Sequence, residues 1–307
     1  MLYDPLVPNR FGIRFWGVRG SLATSGPDFA QVGGNTSCVE IRLGKQIIIL
    51  DAGSGLYRLG CTLPHRIKAT ILLSHFHWDH IQGFPFFRPA YDAGTRLTLY
   101  GPGSEARQVE EALRRQMEAP HFPVPLGAME AQFRFGALRT GDELQIGAAR
   151  VTVRRLNHPQ ECLGYRISSG GTSVAYVTDT EQPADGTLDP NVMDLAHDAT
   201  VLIYDAQYTD AEYHGSCGRP RKGWGHSTVS AACRVARAAR VKRLVLFHHD
   251  PSHDDEFIGR VVDQATRLFP HVVAACEGMH LETHPAAEQL CLQPADATGP
   301  SVGALAV

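Results

Sequence analysis

The segment Ile71-Leu-Leu-Ser-His75-Phe-His77-Trp-Asp79-His80 contains three histidines and one aspartate within six positions, directly after an apolar run. Side chains two positions apart point to the same side of an extended backbone, so His75 and His77 project together. A turn after His77 brings Asp79 and His80 towards the same space. Four ligands from one segment exceed what a single Zn²⁺ ion with an open position requires. The grouping therefore favours two metal ions in one site over a surface histidine cluster without metal.

Composition and charge describe a globular protein that does not rely on bulk electrostatics. The 307 residues are 43% hydrophobic and 20% charged, and 29 basic residues against 32 acidic ones give a formal net charge of −3. This balance argues against a protein that coats nucleic acid or a membrane surface. No apolar run approaches the roughly 20 residues of a membrane span, and residues 1–10 lack the apolar core of a signal peptide. We therefore expect a cytoplasmic protein.

Strand-like segments dominate the first half of the chain, and strands alternate with helices in the last third. Runs rich in β-branched and aromatic residues predict strands at residues 12–18, 38–43, 46–50, 70–73, 96–100, 132–135, 150–156, 163–168, 173–177, 200–204 and 243–247. Apolar residues at helical spacing predict helices at residues 104–118 (capped by Ser104), at residues 255–268 and in a segment that opens at Ser227. This α+β pattern predicts a single domain at residues 1–285. Residues 286–307 are expected to form a loosely attached C-terminal tail.

The arrangement His75-x-His77-x-Asp79-His80 resembles the signature of the metallo-β-lactamase superfamily. Further pieces, in chain order over residues 12–255, resemble its phosphodiesterase branch, which includes ribonuclease Z and cyclic-nucleotide phosphodiesterases. These pieces are Gly17-Val-Arg-Gly-Ser, Gly33-Gly-Asn-Thr-Ser, Leu50-Asp-Ala-Gly, Asn157-His-Pro, Val177-Thr-Asp-Thr, Tyr204-Asp-Ala, Gly225-His-Ser-Thr and Leu246-Phe-His. The resemblance implies a four-layer αββα sandwich of the metallo-β-lactamase type.

The resemblance also assigns metal ligands residue by residue. It implies that one metal ion is held by His75, His77 and His158, a second by Asp79, His80 and His248, and that Asp179 bridges the two. Residues 158, 179 and 248 each follow an apolar run predicted to be a strand, and strand ends commonly carry functional groups in layered folds. The implied cofactors are two divalent metal ions, with Zn²⁺ expected and Mn²⁺ or Fe²⁺ as alternatives.

Catalysis in such a site requires a nucleophile and a proton donor. Two metal ions lower the pKa of a bridging water and so provide a hydroxide nucleophile near neutral pH. His226 is predicted as the general acid for the leaving alkoxide, with Asp205 orienting its other ring nitrogen. The branch usually has a glutamate at the position of Asp205, so this chain carries the same carboxylate on a shorter side chain. Asp79, His226 and Asp205 are thus the predicted catalytic residues; the alternative is that His226 merely precedes a helix capped by Ser227.

Four further residues are candidates for a supporting role. Asp51 ends an apolar strand, where it either orients a metal-bound histidine or only forms a turn, and the sequence favours neither interpretation. Arg219, Arg221 and Lys222 precede His226 in the chain and are candidate contacts for a substrate phosphate. A solvated run of charges is the favoured interpretation of these three residues.

The favoured function is hydrolysis of a small or cyclic phosphodiester, such as a cyclic nucleotide. A thioester, lactone or β-lactam hydrolase of this fold needs the same ligands, but a thiolate leaves without the acid that His226 provides. A ribonuclease Z-like RNA 3′-processing nuclease resembles a compact core with a protruding basic arm, and no such arm is evident in this slightly acidic chain. The expected partner is a small-molecule phosphodiester; nucleic acid is not favoured, no membrane is expected, and a homodimer is compatible with the branch, which is often dimeric.

Overall fold

The computed structural model describes residues 11–284 and 287–293, which form two mixed β-sheets with helices packed on them. The strands are β1 (Phe11–Gly17), β2 (Cys38–Leu43), β3 (Gln46–Leu50), β4 (Lys68–Leu72), β5 (Arg96–Pro102), β6 (Gln132–Leu138), β7 (Glu143–Ile146), β8 (Ala149–Leu156), β9 (Cys162–Ser169), β10 (Thr172–Val177), β11 (Val201–Asp205), β12 (Arg243–Phe247), β13 (Val272–Ala274), β14 (His280–His284) and β15 (Ala287–Gln293). The helices are α1 (Gly55–Thr62), α2 (Trp78–Ile81), α3 (Ala106–Gln116), α4 (Pro190–Ala196), α5 (Asp210–His214), α6 (Val229–Ala238) and α7 (Asp255–Leu268).

The two sheets each contain a parallel half and an antiparallel half. The first sheet has the order β15-β14-β1-β2-β3-β4-β5-β6, and its strands β3 to β6 are parallel. The second sheet has the order β13-β12-β11-β10-β9-β8-β7, and its strands β10 to β13 are parallel. Parallel neighbours end at the same edge, and loops at the carboxyl ends of such strands are the usual place for ligand sites. The polar residues after β4, β10 and β12 are therefore brought together.

Alternation along the strands creates the layers. In β3, Ile48 and Leu50 belong to the core between the sheets, whereas Ile47 and Ile49 pack against helices on the other face, because successive side chains point to opposite sides of a strand. Helices α1 and α3 pack on this outer face of the first sheet, and α4, α6 and α7 pack on the second sheet. The predicted four-layer αββα sandwich is confirmed.

Two helix starts differ from the prediction by one or two residues. Helix α3 begins at Ala106, and Glu105 rather than Ser104 caps it, in a reciprocal box with Gln108, which satisfies two free backbone N–H groups. Helix α6 begins at Val229 with Thr228 as its cap, because the Thr228 hydroxyl accepts a hydrogen bond from the backbone N–H of Ala231. Ser227 is therefore not the cap.

The end of the described chain differs from the predicted loose tail. Residues Ala287–Gln293 form β15, which pairs antiparallel with β14 at the edge of the first sheet. This pairing satisfies backbone groups that a detached segment would leave to water. Residue 285, where the predicted boundary falls, lies outside the described residues, so the boundary stays a prediction. Residues 286 and 294–307 of the predicted tail lie outside the described residues.

Candidate metal centre

The candidate metal ligands follow the ends of four strands from both sheets. His158 follows β8, Asp179 follows β10 and His248 follows β12, whereas the 75–80 segment follows β4. Asp179 and His248 have positive φ angles of 48° and 61°, so the chain turns away sharply as soon as each strand ends. A left-handed backbone costs energy for residues other than glycine and often marks functional sites.

The first ligand cluster consists of His75, His77 and His158. One ligand atom from each of them and one from Asp179 all lie within 4.8 Å of one another. The ring centroids of His75 and His158 lie 4.9 Å apart, and those of His77 and His158 lie 5.0 Å apart. Burial lowers the pKa of His158 to about 4. The ring is therefore neutral at physiological pH and can act as a metal ligand.

The second ligand cluster consists of Asp79, His80 and His248. The Nε2 atoms of the two histidines lie 3.2 Å apart, and the Oδ2 atom of Asp79 lies 3.2 Å from each of them. Burial opposes ionisation of Asp79, but the neighbouring imidazoles of His80 and His248 hold its pKa well below the usual range. The cluster thus combines two imidazole nitrogens with a carboxylate anion.

Asp179 lies between the two clusters and directs one oxygen to each. Its Oδ2 atom is 3.5 Å from Nε2 of His75 in the first cluster. Its Oδ1 atom is 3.2 Å from Nε2 of both His80 and His248 in the second. This is the arrangement that the predicted bridging role requires.

These residues fit a pair of divalent metal ions. The Nε2 atom of His75 is buried without a hydrogen-bond partner, a costly state that a metal ion would relieve. Burial lowers the pKa of His75 well below its usual value, which leaves a lone pair free for coordination. Mixed imidazole and carboxylate donors suit Zn²⁺, Mn²⁺ and Fe²⁺. The donor set therefore matches the cofactor class predicted from the sequence.

Asp51 contacts a candidate ligand, His80, on the side that faces away from the second cluster. Its Oδ2 atom lies 2.7 Å from Nδ1 of His80 and also accepts hydrogen bonds from the hydroxyls of Ser74 and Tyr176. A donated Nδ1–H leaves the Nε2 lone pair of His80 facing the second cluster. Asp51 also has a φ of 60°. Its contact with His80 favours the orienting role over the turn-forming role, which the sequence did not separate.

Several supporting residues were not found by reasoning from sequence. The side-chain oxygen of Gln207 lies 3.0 Å from Nδ1 of His248, and the backbone N–H of Ser21 donates to Oδ2 of Asp79 at 2.7 Å. A Cβ atom on Gly20 would approach Nδ1 of His248 to 2.4 Å, so only glycine fits there. The Arg-Gly-Ser sequence at positions 19–21 was a signal for this contact, because it resembles an opening motif of the branch.

His226 and Asp205 form a hydrogen-bonded pair beside the clusters. Nδ1 of His226 lies 2.9 Å from Oδ2 of Asp205, and the backbone N–H groups of Thr180 and Gln207 donate to the same carboxylate. Burial opposes a charged imidazole, but Asp205 and more distant carboxylates raise the pKa of His226 to about 9. Ser227 donates to the carbonyl of Thr180, which leaves no capping role for it.

A cavity of about 540 Å³ opens onto this centre. It is lined by Ser21, Phe76, His77, Trp78, Asp79, His158, Pro159, Gln160, Asp179, Trp224 and His226. Trp78 is 77% exposed and Trp224 is 48% exposed, so both indoles form the mouth rather than the core. Exposed aromatic faces beside a polar site are suited to contact with an organic group of a ligand.

The three basic candidates for substrate contact do not line this cavity. The guanidinium of Arg221 lies 5.2 Å from the ring centroids of Tyr208 and Trp224, and its Nη1 atom is 3.6 Å from Oδ2 of Asp250. Arg219 is exposed, and Lys222 lines a different cavity. Arg221 therefore reaches the centre only indirectly: it contacts Trp224, which lines the cavity, and Tyr208, whose ring centroid lies 5.9 Å from that of His226.

Comparison with known proteins agrees with this geometry. A family model described as a Beta-lactamase superfamily domain matches residues 47–249. Ribonuclease BN of Cronobacter sakazakii is 27% identical over 275 residues, covering 71% of this chain and 86% of that protein. Ribonuclease Z of Exiguobacterium sibiricum is 26% identical over 293 residues, covering 81% and 91%. Among solved structures, the metallo-beta-lactamase fold protein YhfI from Bacillus subtilis has a TM-score of 0.68 at 19% identity, covering 90% of this chain and all of that one.

The chain belongs to the metallo-β-lactamase superfamily. The predicted resemblance to its ribonuclease Z-like branch is confirmed, and the protein is a metal-dependent hydrolase. Within the part of the chain that the structure describes, no helix is both long and apolar enough to cross a bilayer.

Proposed function

We propose that the protein is a dinuclear metal-dependent phosphodiesterase that acts on a small or cyclic phosphodiester, with His226 as the general acid. The first cluster would hold one ion, the second cluster would hold the other, and Asp179 would bridge them. Zn²⁺ is the expected metal. A cytoplasmic location and a homodimer remain predictions from the sequence.

The observation that carries this proposal is the position of the His226–Asp205 pair. His226 lines the same cavity as His77, Asp79, His158 and Asp179, so a substrate bound at the ligands contacts it. Because Nδ1 is bonded to Asp205, Nε2 is the nitrogen available to a leaving group. With a pKa of about 9, the ring carries a proton at neutral pH and can deliver it to an alkoxide.

The roles of the remaining residues follow from the same contacts. Two divalent ions in such a site supply Lewis acidity and an activated water. Asp205 keeps a proton on His226 and fixes the ring plane, and its own position is held by two backbone N–H donors. Trp78 and Trp224 flank the mouth and exclude bulk water from an organic group of the substrate.

A thioester, lactone or β-lactam hydrolase is the first alternative, and the acid disfavours the thioesterase among these three. A thiolate is a good leaving group without protonation, whereas an alkoxide gains about 10²–10⁴-fold from a positioned acid. A buried histidine held in the protonated state by a dedicated carboxylate is therefore of more use to a phosphodiesterase than to a thioesterase.

An RNA 3′-processing nuclease is a second candidate, because the two curated relatives carry the names ribonuclease BN and ribonuclease Z. Between His158 and Asp179 the chain consists of the hairpin β9–β10. This hairpin belongs to the second sheet, so residues 158–179 do not form a protruding arm of the ribonuclease Z type. None of the predicted basic substrate contacts lines the metal cavity. These features favour a small substrate over a long RNA.

A substrate panel tests the proposal. The Zn²⁺- and Mn²⁺-loaded protein is assayed with bis-p-nitrophenyl phosphate, cyclic nucleotides, a thioester, nitrocefin and a precursor transfer RNA. We expect turnover of the first two, with His226→Ala slowing both. Turnover of the thioester or nitrocefin alone contradicts the proposal, and cleavage of the precursor RNA alone favours the nuclease.

A further inference from the structure

A second cavity, of about 400 Å³, lies beside the loop that carries His226. Lys222 and Thr228 line the second cavity, whereas Trp224 and His226 line the metal cavity. Residues of one short segment are thus divided between the two cavities. No residue lines both cavities, so the second cavity is a separate space.

The charge of the second cavity is strongly positive. Lys222, Arg234 and Arg237 line it together with the single carboxylate of Asp210. That carboxylate accepts a hydrogen bond from the Ser230 hydroxyl at 2.6 Å. Among residues 11–284 and 287–293, none of the three cations has a carboxylate within ion-pair distance. Three cations that share a concave space with a single carboxylate favour binding of an anion.

Two further features point to an anion that carries acceptor oxygens. Nε of Arg234 is buried without a hydrogen-bond partner, and an unsatisfied guanidinium N–H costs free energy that a bound oxygen would recover. Thr228, which caps helix α6, and Ser230 and Ala231 of its first turn also line the cavity. The N-terminus of a helix of this length carries a partial positive charge that attracts phosphate groups.

The remaining walls are suited to an organic group. Pro183, Ala184 and Leu268 line the cavity, and Leu268 is among the exposed large apolar side chains. A volume of about 400 Å³ lies within the range of roughly 300–1,000 Å³ that small-molecule sites occupy. The cavity therefore has a charged end and an apolar end.

We propose that this cavity binds a small phosphate-bearing molecule at a site separate from the metal centre. The connection to the centre runs through Glu181, whose carboxylate accepts hydrogen bonds from the Tyr213 hydroxyl and from the backbone N–H groups of Gly223 and Gly225. Tyr213 lines the second cavity. A ligand there contacts both the ring and the loop that position His226.

Calorimetric titration of inorganic phosphate into the zinc-loaded protein tests the site. We expect two binding events in the unaltered chain. Lys222→Gln combined with Arg237→Gln removes two charges, and both side chains are exposed, so the fold is preserved. We expect this double variant to weaken one event by about tenfold or more, because charged hydrogen bonds to phosphate are lost. Arg234→Gln is expected to weaken the same event.

Two controls separate this site from the metal centre. Asp179→Ala is expected to abolish the other event and to leave the one that depends on Lys222. Arg107→Gln, an exposed arginine of α3, is expected to leave both unchanged. The proposal is overturned if the unaltered chain shows a single phosphate-binding event, or if the double variant shows two events of unchanged affinity. Either result leaves the metal assignment intact.

The class of ligand is tested with two further probes. Adenosine monophosphate is expected to bind the second cavity at least as tightly as phosphate, because its organic part contacts the apolar end. A single-stranded RNA oligonucleotide is the competing probe. Binding of the oligonucleotide without binding of phosphate or adenosine monophosphate overturns the proposal of a small-molecule site.

Discussion

The two ligand clusters differ in how they are held. In the second cluster each ligand has a support from another part of the chain: Asp51 contacts His80, Gln207 contacts His248, and the Ser21 backbone N–H contacts Asp79. In the first cluster, Nδ1 of His75 lies 3.0 Å from the adjacent Ser74 hydroxyl and has one weaker contact with another part of the chain, Sγ of Cys162 at 3.8 Å. Nδ1 of His158 lies 3.3 Å from backbone atoms of nearby Gln160.

This difference indicates which half of the centre is more rigid. Second-sphere hydrogen bonds fix the tautomer and orientation of a histidine ligand and raise metal affinity. His77 is also half-buried and lines the cavity. We therefore expect the ion in the second cluster to bind more tightly and to exchange more slowly than the ion in the first.

The largest expected effect is that of Asp179→Ala, which removes the residue shared by both clusters. Oδ1 and Oδ2 of Asp179 face different clusters, so neither ion should be retained at stoichiometric levels and activity should fall to background. Metal analysis of the purified variant checks this outcome. Retention of two full metal equivalents contradicts the bridging assignment, and retention of one shows which cluster is self-sufficient.

His226→Ala should separate catalysis from metal binding. His226 stacks on the ring of His248 with centroids 5.1 Å apart, yet we assign it no ligand role. Both ions should remain, and phosphodiester cleavage should slow by about 10²–10⁴-fold, the usual range for a lost general acid. His271→Ala, at an exposed histidine, is the matched control. Loss of a metal ion on His226→Ala would assign this residue to the second cluster.

The candidate ligands, and with them the effect of Asp179→Ala, were predictable from the sequence, because most of these residues follow recognisable local patterns. Three histidines and an aspartate lie within six positions, and His158, Asp179 and His248 each follow an apolar strand. The α+β class was predictable because alternating and helical apolar patterns report burial directly, whereas the four-layer order was implied by the resemblance to the superfamily.

Apart from Asp51, which was one of two alternatives, the supports of the ligands were not predictable, because they depend on packing between the sheets. Tyr176 occupies the interior of a fully buried strand, where it looks like a core residue, and only the approach of the second sheet to the first brings its hydroxyl 2.7 Å from Asp51. Helix α1 was missed because Gly55 and Gly60 weaken its helical pattern. A Cβ atom on Gly55 would come within 2.5 Å of the Trp16 carbonyl oxygen, so close packing on β1 requires glycine.

Asp51→Asn tests the difference between the clusters directly. Asparagine tolerates the left-handed backbone at this position. Its side chain presents one acceptor oxygen, whereas that of Asp51 presents two. Metal affinity should fall by about 10–100-fold, the range for such supporting residues, with the greater loss at the second cluster. In the unaltered chain a chelator should remove the two ions in two phases, because the second cluster holds its ion more tightly. In the variant these two phases should merge. Unchanged affinity with an unchanged order of release would contradict the proposed role of the supports.

The smallest expected effect concerns the proton of His226 rather than the metal ions. Asp205 raises the pKa of His226, which lies at about 9 in the folded chain, so the acid form is present below that pH and is lost as pH rises through it. Asp205→Asn removes the anion and lowers this pKa, so the alkaline limb of the kcat profile should move to lower pH by about 1 unit or more, with both metals retained. Asp205→Glu keeps the charge and should hold the limb near its original position. Asp198→Asn, at an exposed ion pair with Arg240, should have no effect. An alkaline limb that does not move in Asp205→Asn would assign that limb to a group other than His226.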